Sequence, residues 1–125
     1  MIRHVPSKPG QPIATRDPDR RGIYMTVEWT EPENDGRAAI TGYVIKYAGR
    51  RGLSIIKKDD EDLDVDEYDE TDELSVDGNT TNFQFTHQLS GLTFYRFSVA
   101  AVNDAGRGEF SEFSDKVLTF YGKYC

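Results

Sequence analysis

Polar and apolar residues alternate with a period of two along most of this chain. Ile23, Met25, Val27 and Trp29 alternate with Tyr24, Thr26 and Glu28. One apolar and one polar face is the pattern of a half-buried antiparallel strand. The run 40–47 repeats the pattern with bulky groups on both faces, Tyr43, Ile45 and Tyr47 on one and Val44 on the other. That composition predicts a strand near the middle of a sheet. Phe83 and Phe85 alternate in the same way, and 94–103 is the longest β-prone run, with Tyr95, Phe97, Val99 and Ala101 on one face. A short first strand is expected at 13–16 and a closing strand at 113–121.

Turn chemistry separates these runs. Asp17-Pro18-Asp19 and Pro32-Glu33-Asn34-Asp35-Gly36 favour reversals, as does 104–108 with its two glycines. About seven strands without helical periodicity predict an all-β, immunoglobulin-like antiparallel sandwich. Three prolines in 6–12 read as a linker leading into an edge strand. The expected organisation is a tail at 1–5, one domain at 6–121 and a second tail at 122–125.

The 125 residues carry a net charge of −7, and that charge is unevenly placed. Of 22 acidic residues, 12 fall between Asp59 and Asp77 with no basic residue among them. The remaining 10 acidic residues stand against 15 basic ones, so the rest of the chain is mildly basic at +5. That balance, with no basic stripe interleaved with aromatics, argues against nucleic acid as a partner. No apolar run is long enough to cross a bilayer, and 1–6 has no apolar leader segment, so no direct membrane contact is expected. Cys125 is the only cysteine, so the core is expected to hold without an internal disulfide.

The order of several motifs resembles the fibronectin type III domain. They are Val27-Glu-Trp29, Pro32-Glu-Asn-Asp-Gly36, Ile40-Thr-Gly-Tyr-Val-Ile-Lys-Tyr47, Val76-Asp-Gly-Asn-Thr-Thr81, Leu89 followed by Tyr95, and 100–109. The resemblance implies core roles for Trp29 and Tyr43. It also implies that Leu89 and Tyr95 form a tyrosine corner, in which the hydroxyl bonds nearby backbone. Two departures stand out: an extra residue at His87-Gln88, which suggests a bulge, and Gly91-Leu92 in place of the family's Pro-Gly.

A longer departure lies at 48–73, where the family crosses between strands in a few residues. Three placements remain open. Leu74–Val76 is the fourth strand and the insertion precedes it; or Leu53–Ile56 is the fourth strand; or the two pair as an extended arm. A solvated loop is the plain reading of so acidic a run. Asp62, Asp64, Asp66 and Glu73 fall at positions 1, 3, 5 and 12 of a calcium loop, but Glu67 stands where that loop turns on glycine. The run would equally serve as a docking segment for a basic partner, or fold back on neighbouring Arg50, Arg51, Lys57 and Lys58.

Support for catalysis is thin: two histidines, no nucleophile motif and no apolar setting for paired carboxylates. Cysteine and histidine spacing for zinc is missing, and no cofactor is expected. The resemblance therefore implies a non-catalytic interaction or spacer module of a larger cell-surface adhesion or receptor protein. An intracellular, titin-like sarcomeric module is the alternative. Partners are expected to be proteins and neighbouring domains. The contact residues are sought in two loops, at Asn34, Asp35 and Arg37 and at Asp104 and Arg107. Asn79-Thr-Thr81 is a glycosylation sequon at a turn, open to use if the protein is secreted.

Overall fold

The alternating runs become strands in a computed structural model that describes residues 2–16, 24–51, 70–86, 88–91 and 93–119. In chain order they are β1 (Ile13–Arg16), β2 (Met25–Glu28), β3 (Gly42–Arg51), β4 (Glu70–Asp77), β5 (Asn82–Phe85), β6 (Thr93–Asn103), β7 (Gly106–Arg107) and β8 (Val117–Leu118). Among the described residues they form two antiparallel sheets. One has the order β1-β2-β5; the other has the order β4-β3-β6-β7, with β8 also pairing with β6.

Register places the predicted inward residues together. Met25 and Val27 lie opposite Phe85 and Phe83 in the small sheet. Tyr43, Ile45 and Tyr47 lie opposite Ala101, Val99 and Phe97 in the large one. Because side chains alternate across the pleat, these sets face each other and form the core. Phe85 closes the gap between sheets, with its ring centroid 5.0 Å from Tyr47 and 5.2 Å from Phe97. Burying each such ring contributes on the order of 2–3 kcal/mol.

Strand β3 has a ladder on each side, β4 and β6, and this carries it past Tyr47 to Arg51. Ala48 and Gly49 add little apolar signal, yet both are buried, with Thr71 and Glu70 as their β4 partners. Residues 48–51 and 70–73, assigned to the insertion from sequence, are thus strand. Leu74–Val76 lie opposite Ile45, Val44 and Tyr43, next to the middle strand of the sheet. Leu53–Ile56 itself lies outside the described residues, as do Lys57, Lys58 and His87.

Two expectations about the chain ends are corrected. The first concerns 6–12, where Pro6, Pro9 and Pro12 are all buried. A buried residue every third position is the repeat of a polyproline-type strand, so these prolines pack on the body and do not form a free linker. The second concerns the closing strand expected at 113–121, where, among the described residues 113–119, ladder pairing is confined to Val117–Leu118. Upstream of it, Gly108, Ser111 and Ser114 donate backbone N–H to Ala101, Val99 and Phe97. Three residues of this run advance against two of β6, which defeats a regular ladder. The hydroxyls take over as acceptors: Val99 N–H donates to Ser111 Oγ and Phe97 N–H to Ser114 Oγ, both at 3.0 Å.

Candidate interaction surface

The loop between β2 and β3 is shaped by its own side chains. Asn34 Oδ1 accepts from Gly36 N–H at 2.8 Å, and Asp35 Oδ1 accepts from Arg37 N–H at 2.9 Å. These bonds turn the chain through two successive left-handed residues, Gly36 (φ 78°) and Arg37 (φ 72°). Gly36 has a second reason to be glycine, since a Cβ there would collide with the His4 carbonyl.

That collision marks the path of the N-terminal segment. His4 N–H donates to Gly36 O and Ser7 N–H to Asn34 O, each at 2.9 Å. Asn103, 4% exposed, donates from Nδ2 to both His4 O and Asp35 O at 2.7 Å. Arg3 reaches Asp104 at 3.4 Å, an exposed pair that contributes little. The two loops singled out from sequence therefore meet at one pole, but they meet across the protein's own chain. Their backbone is occupied internally, while the side chains of Asn34, Asp35, Arg37 and Asp104 remain exposed. Beside them an open groove of about 510 Å³ is lined by Glu31, Pro32, Asn34, Asp35, Ile40 and Gly78.

Trp29 and Tyr43 are both buried, edge to face at 5.4 Å. Among the described residues, neither Trp29 Nε1 nor Tyr43 Oη has a hydrogen-bond partner. Burial, and secondarily the Glu31 carboxylate, push the Tyr43 hydroxyl above its ordinary range. At the other end of the sandwich Leu89 is buried, and Tyr95 Oη accepts from Ser90 N–H.

Arg107, expected among the pole residues, belongs to a different feature. Its guanidinium lies 4.7 Å from the Phe110 ring centre. Lys46 Nζ stands over Phe110 at 4.3 Å and Phe113 at 5.6 Å, and Arg96 lies over Phe113 at 4.7 Å. The result is an alternating series, Arg107–Phe110–Lys46–Phe113–Arg96, on the outward face of the larger sheet. The three-residue repeat that turns Ser111 and Ser114 toward β6 also sets Phe110 and Phe113 three apart. Sequence reading by twos missed this; the signal was Phe-Ser-Glu-Phe-Ser at 110–114.

The remaining candidates are scattered. Glu73 is exposed on β4, opposite Lys46, and its N–H donates to Asp72 Oδ1 at 2.9 Å. Asp62, Asp64 and Asp66 lie outside the described residues. Asn79 is exposed in the turn after β4.

Comparison with known proteins agrees with this architecture. Residues 7–117 match the family model for the fibronectin type III domain. Over 49 residues the chain is 39% identical to slow-type myosin-binding protein C of Rattus norvegicus, covering 39% of this chain and 8% of that protein. It is 25% identical over 112 residues to the neural cell adhesion molecule L1 of Takifugu rubripes, covering 90% of this chain and 8% of that protein. The chain thus spans less than a tenth of these relatives. A crystal structure of titin domains shares the fold, with a TM-score of 0.69 at 23% identity over 94% of this chain and 33% of that one. With a family match over most of its length and the two-sheet architecture described above, the chain belongs to the fibronectin type III family.

Proposed function

We propose that this domain is a non-catalytic interaction and spacing module of a larger cell-surface adhesion or receptor protein. The observation that carries the reading is the placement of the first and last described segments. Arg3 and His4 sit at the pole of Asn103 and Gly36, whereas Leu118 lies opposite Phe94, at the other end of β6. From Phe94 to Asn103 strand β6 advances nine residues, so these two points are separated by roughly 30 Å at about 3.3 Å per residue. A module that takes the chain in at one pole and returns it at the other extends a string of domains in line. The match to L1 across 90% of the chain supports placing that string at the cell surface.

A sarcomeric setting is the second reading, favoured by the 39% identity to slow-type myosin-binding protein C. One experiment separates the two. An antibody to this domain should recover the native protein from the surface-biotinylated fraction of intact cells. Glycan release should then shift the mass of the peptide containing Asn79. Recovery from a detergent-insoluble filament fraction, with an unmodified Asn79 peptide, would overturn the surface reading.

A further inference from the structure

Three cations on the outward face of the larger sheet have no carboxylate partner among the described residues. Lys46, Arg107 and Lys116 have ring partners, Lys116 over Phe94 at 5.7 Å, and no carboxylate within ion-pair reach among the described residues. Glu73, opposite Lys46 in register, does not close on it, and Glu112 turns to Lys8 at 3.8 Å. The cations are spaced by single aromatic rings, and the rings displace water from one side of each charge. A carboxylate arriving there meets a partly desolvated cation, where the attraction exceeds that at an open surface.

The geometry points to this face as the docking site of an extended acidic polypeptide segment supplied by a partner molecule, on the ground of charge complementarity. The rings between the cations offer apolar contact to the segment's other atoms. Lys46 is the principal anchor, with Arg107 beside it on the Phe110 ring. The site names the surface and partner chemistry of the interaction module proposed above, and so rests on that reading.

The test uses a labelled nine-residue peptide with the sequence of residues 60–68, in which Asp62, Asp64 and Asp66 alternate with Leu63 and Val65. Binding is followed by fluorescence anisotropy against the full chain, and against a chain carrying Asp62→Asn, Asp64→Asn and Asp66→Asn. Saturable binding to both chains is expected, weakening about tenfold between low and high salt as screening grows. Lys46→Gln with Arg107→Gln should weaken it about tenfold further, Lys46→Arg should restore most of the loss, and Lys8→Gln should change nothing. Thermal melts establish that each variant is folded. Affinity indifferent to the Lys46 and Arg107 changes overturns the site. Binding only to the chain with neutralised aspartates gives the face to the protein's own acidic run and overturns the partner assignment. Binding of a sulfated oligosaccharide through Lys46, with none of the peptide, overturns the polypeptide. Failure here leaves the cell-surface reading intact, because that is decided by surface labelling.

Discussion

Tyr95 Oη accepts a 2.8 Å hydrogen bond from the Ser90 amide five residues earlier, and so fastens the turn that buries Leu89. The bond is part-buried, and the Tyr95 ring is fully enclosed. Tyr95→Phe keeps the ring but strips the Ser90 N–H of its acceptor, at a cost of about 1–3 kcal/mol. Urea unfolding should show a lower midpoint with an unchanged slope. A midpoint equal to that of the native domain would mean that the bond carries no stability.

Tyr43 is the opposite case, since its hydroxyl is buried without a partner among the described residues. Tyr43→Phe should stabilise the domain by about 1 kcal/mol by removing an unsatisfied polar group. Its pH dependence has a definite sign. The folded hydroxyl titrates above its unfolded value of about 10. The associated stability is therefore present below pH about 10 and is lost as pH rises through the folded value. Denaturation curves between pH 8 and 11 should show that alkaline loss shrinking in the phenylalanine variant.

Asn103 ties the N-terminal segment to the loop between β2 and β3 through two 2.7 Å bonds. Asn103→Ala should cost about 2 kcal/mol and loosen that segment first. Hydrogen exchange is the direct measurement. The amides of His4 and Ser7, which bond Gly36 and Asn34, should exchange faster, while those of Val99 and Phe97 keep their protection. Uniform acceleration across the domain would contradict a local fastening.

Asp72 guards a sheet edge. Among the described residues strand β4 is terminal in its sheet, and Asp72, exposed, lies opposite Tyr47 on the same side as Leu74 and Val76 while its carboxylate caps the Glu73 N–H. A charge on an edge strand opposes pairing with another chain. Asp72→Val removes both obstacles, and sedimentation velocity should then reveal association at concentrations where the native domain is monomeric. A monomeric variant would assign edge protection to the neighbouring carboxylates.

The regular part of this fold was legible because the core positions alternate. Met25, Val27, Tyr43, Ile45, Phe97 and Val99 each announced their side of a pleat, and register put them together. What stayed hidden runs on a period of three. Pro6, Pro9 and Pro12 looked like a linker because proline lacks the donor a ladder needs, yet burial requires only that they fit. Ser111 and Ser114 carried no signal as hydroxyls, although each replaces a carbonyl acceptor for β6. The Arg107–Lys46–Arg96 series joins residues from three segments, and no local pattern relates Lys46 to Phe110. At the pole the loops themselves were visible in the sequence, but not that residues 3–7 lie across them, because that contact runs mainly through backbone groups.

The placement of residues 3–7 matters for how the domain bears tension. A pull applied at its two ends acts along the long axis of the sandwich, nearly parallel to β6. The N-terminal segment meets that pull through His4–Gly36, Ser7–Asn34 and the double clasp of Asn103. Bonds set crosswise to an extended segment share such a load instead of parting one at a time. The clasp thus stands between a pull on the N-terminal segment and the strands it is bonded to.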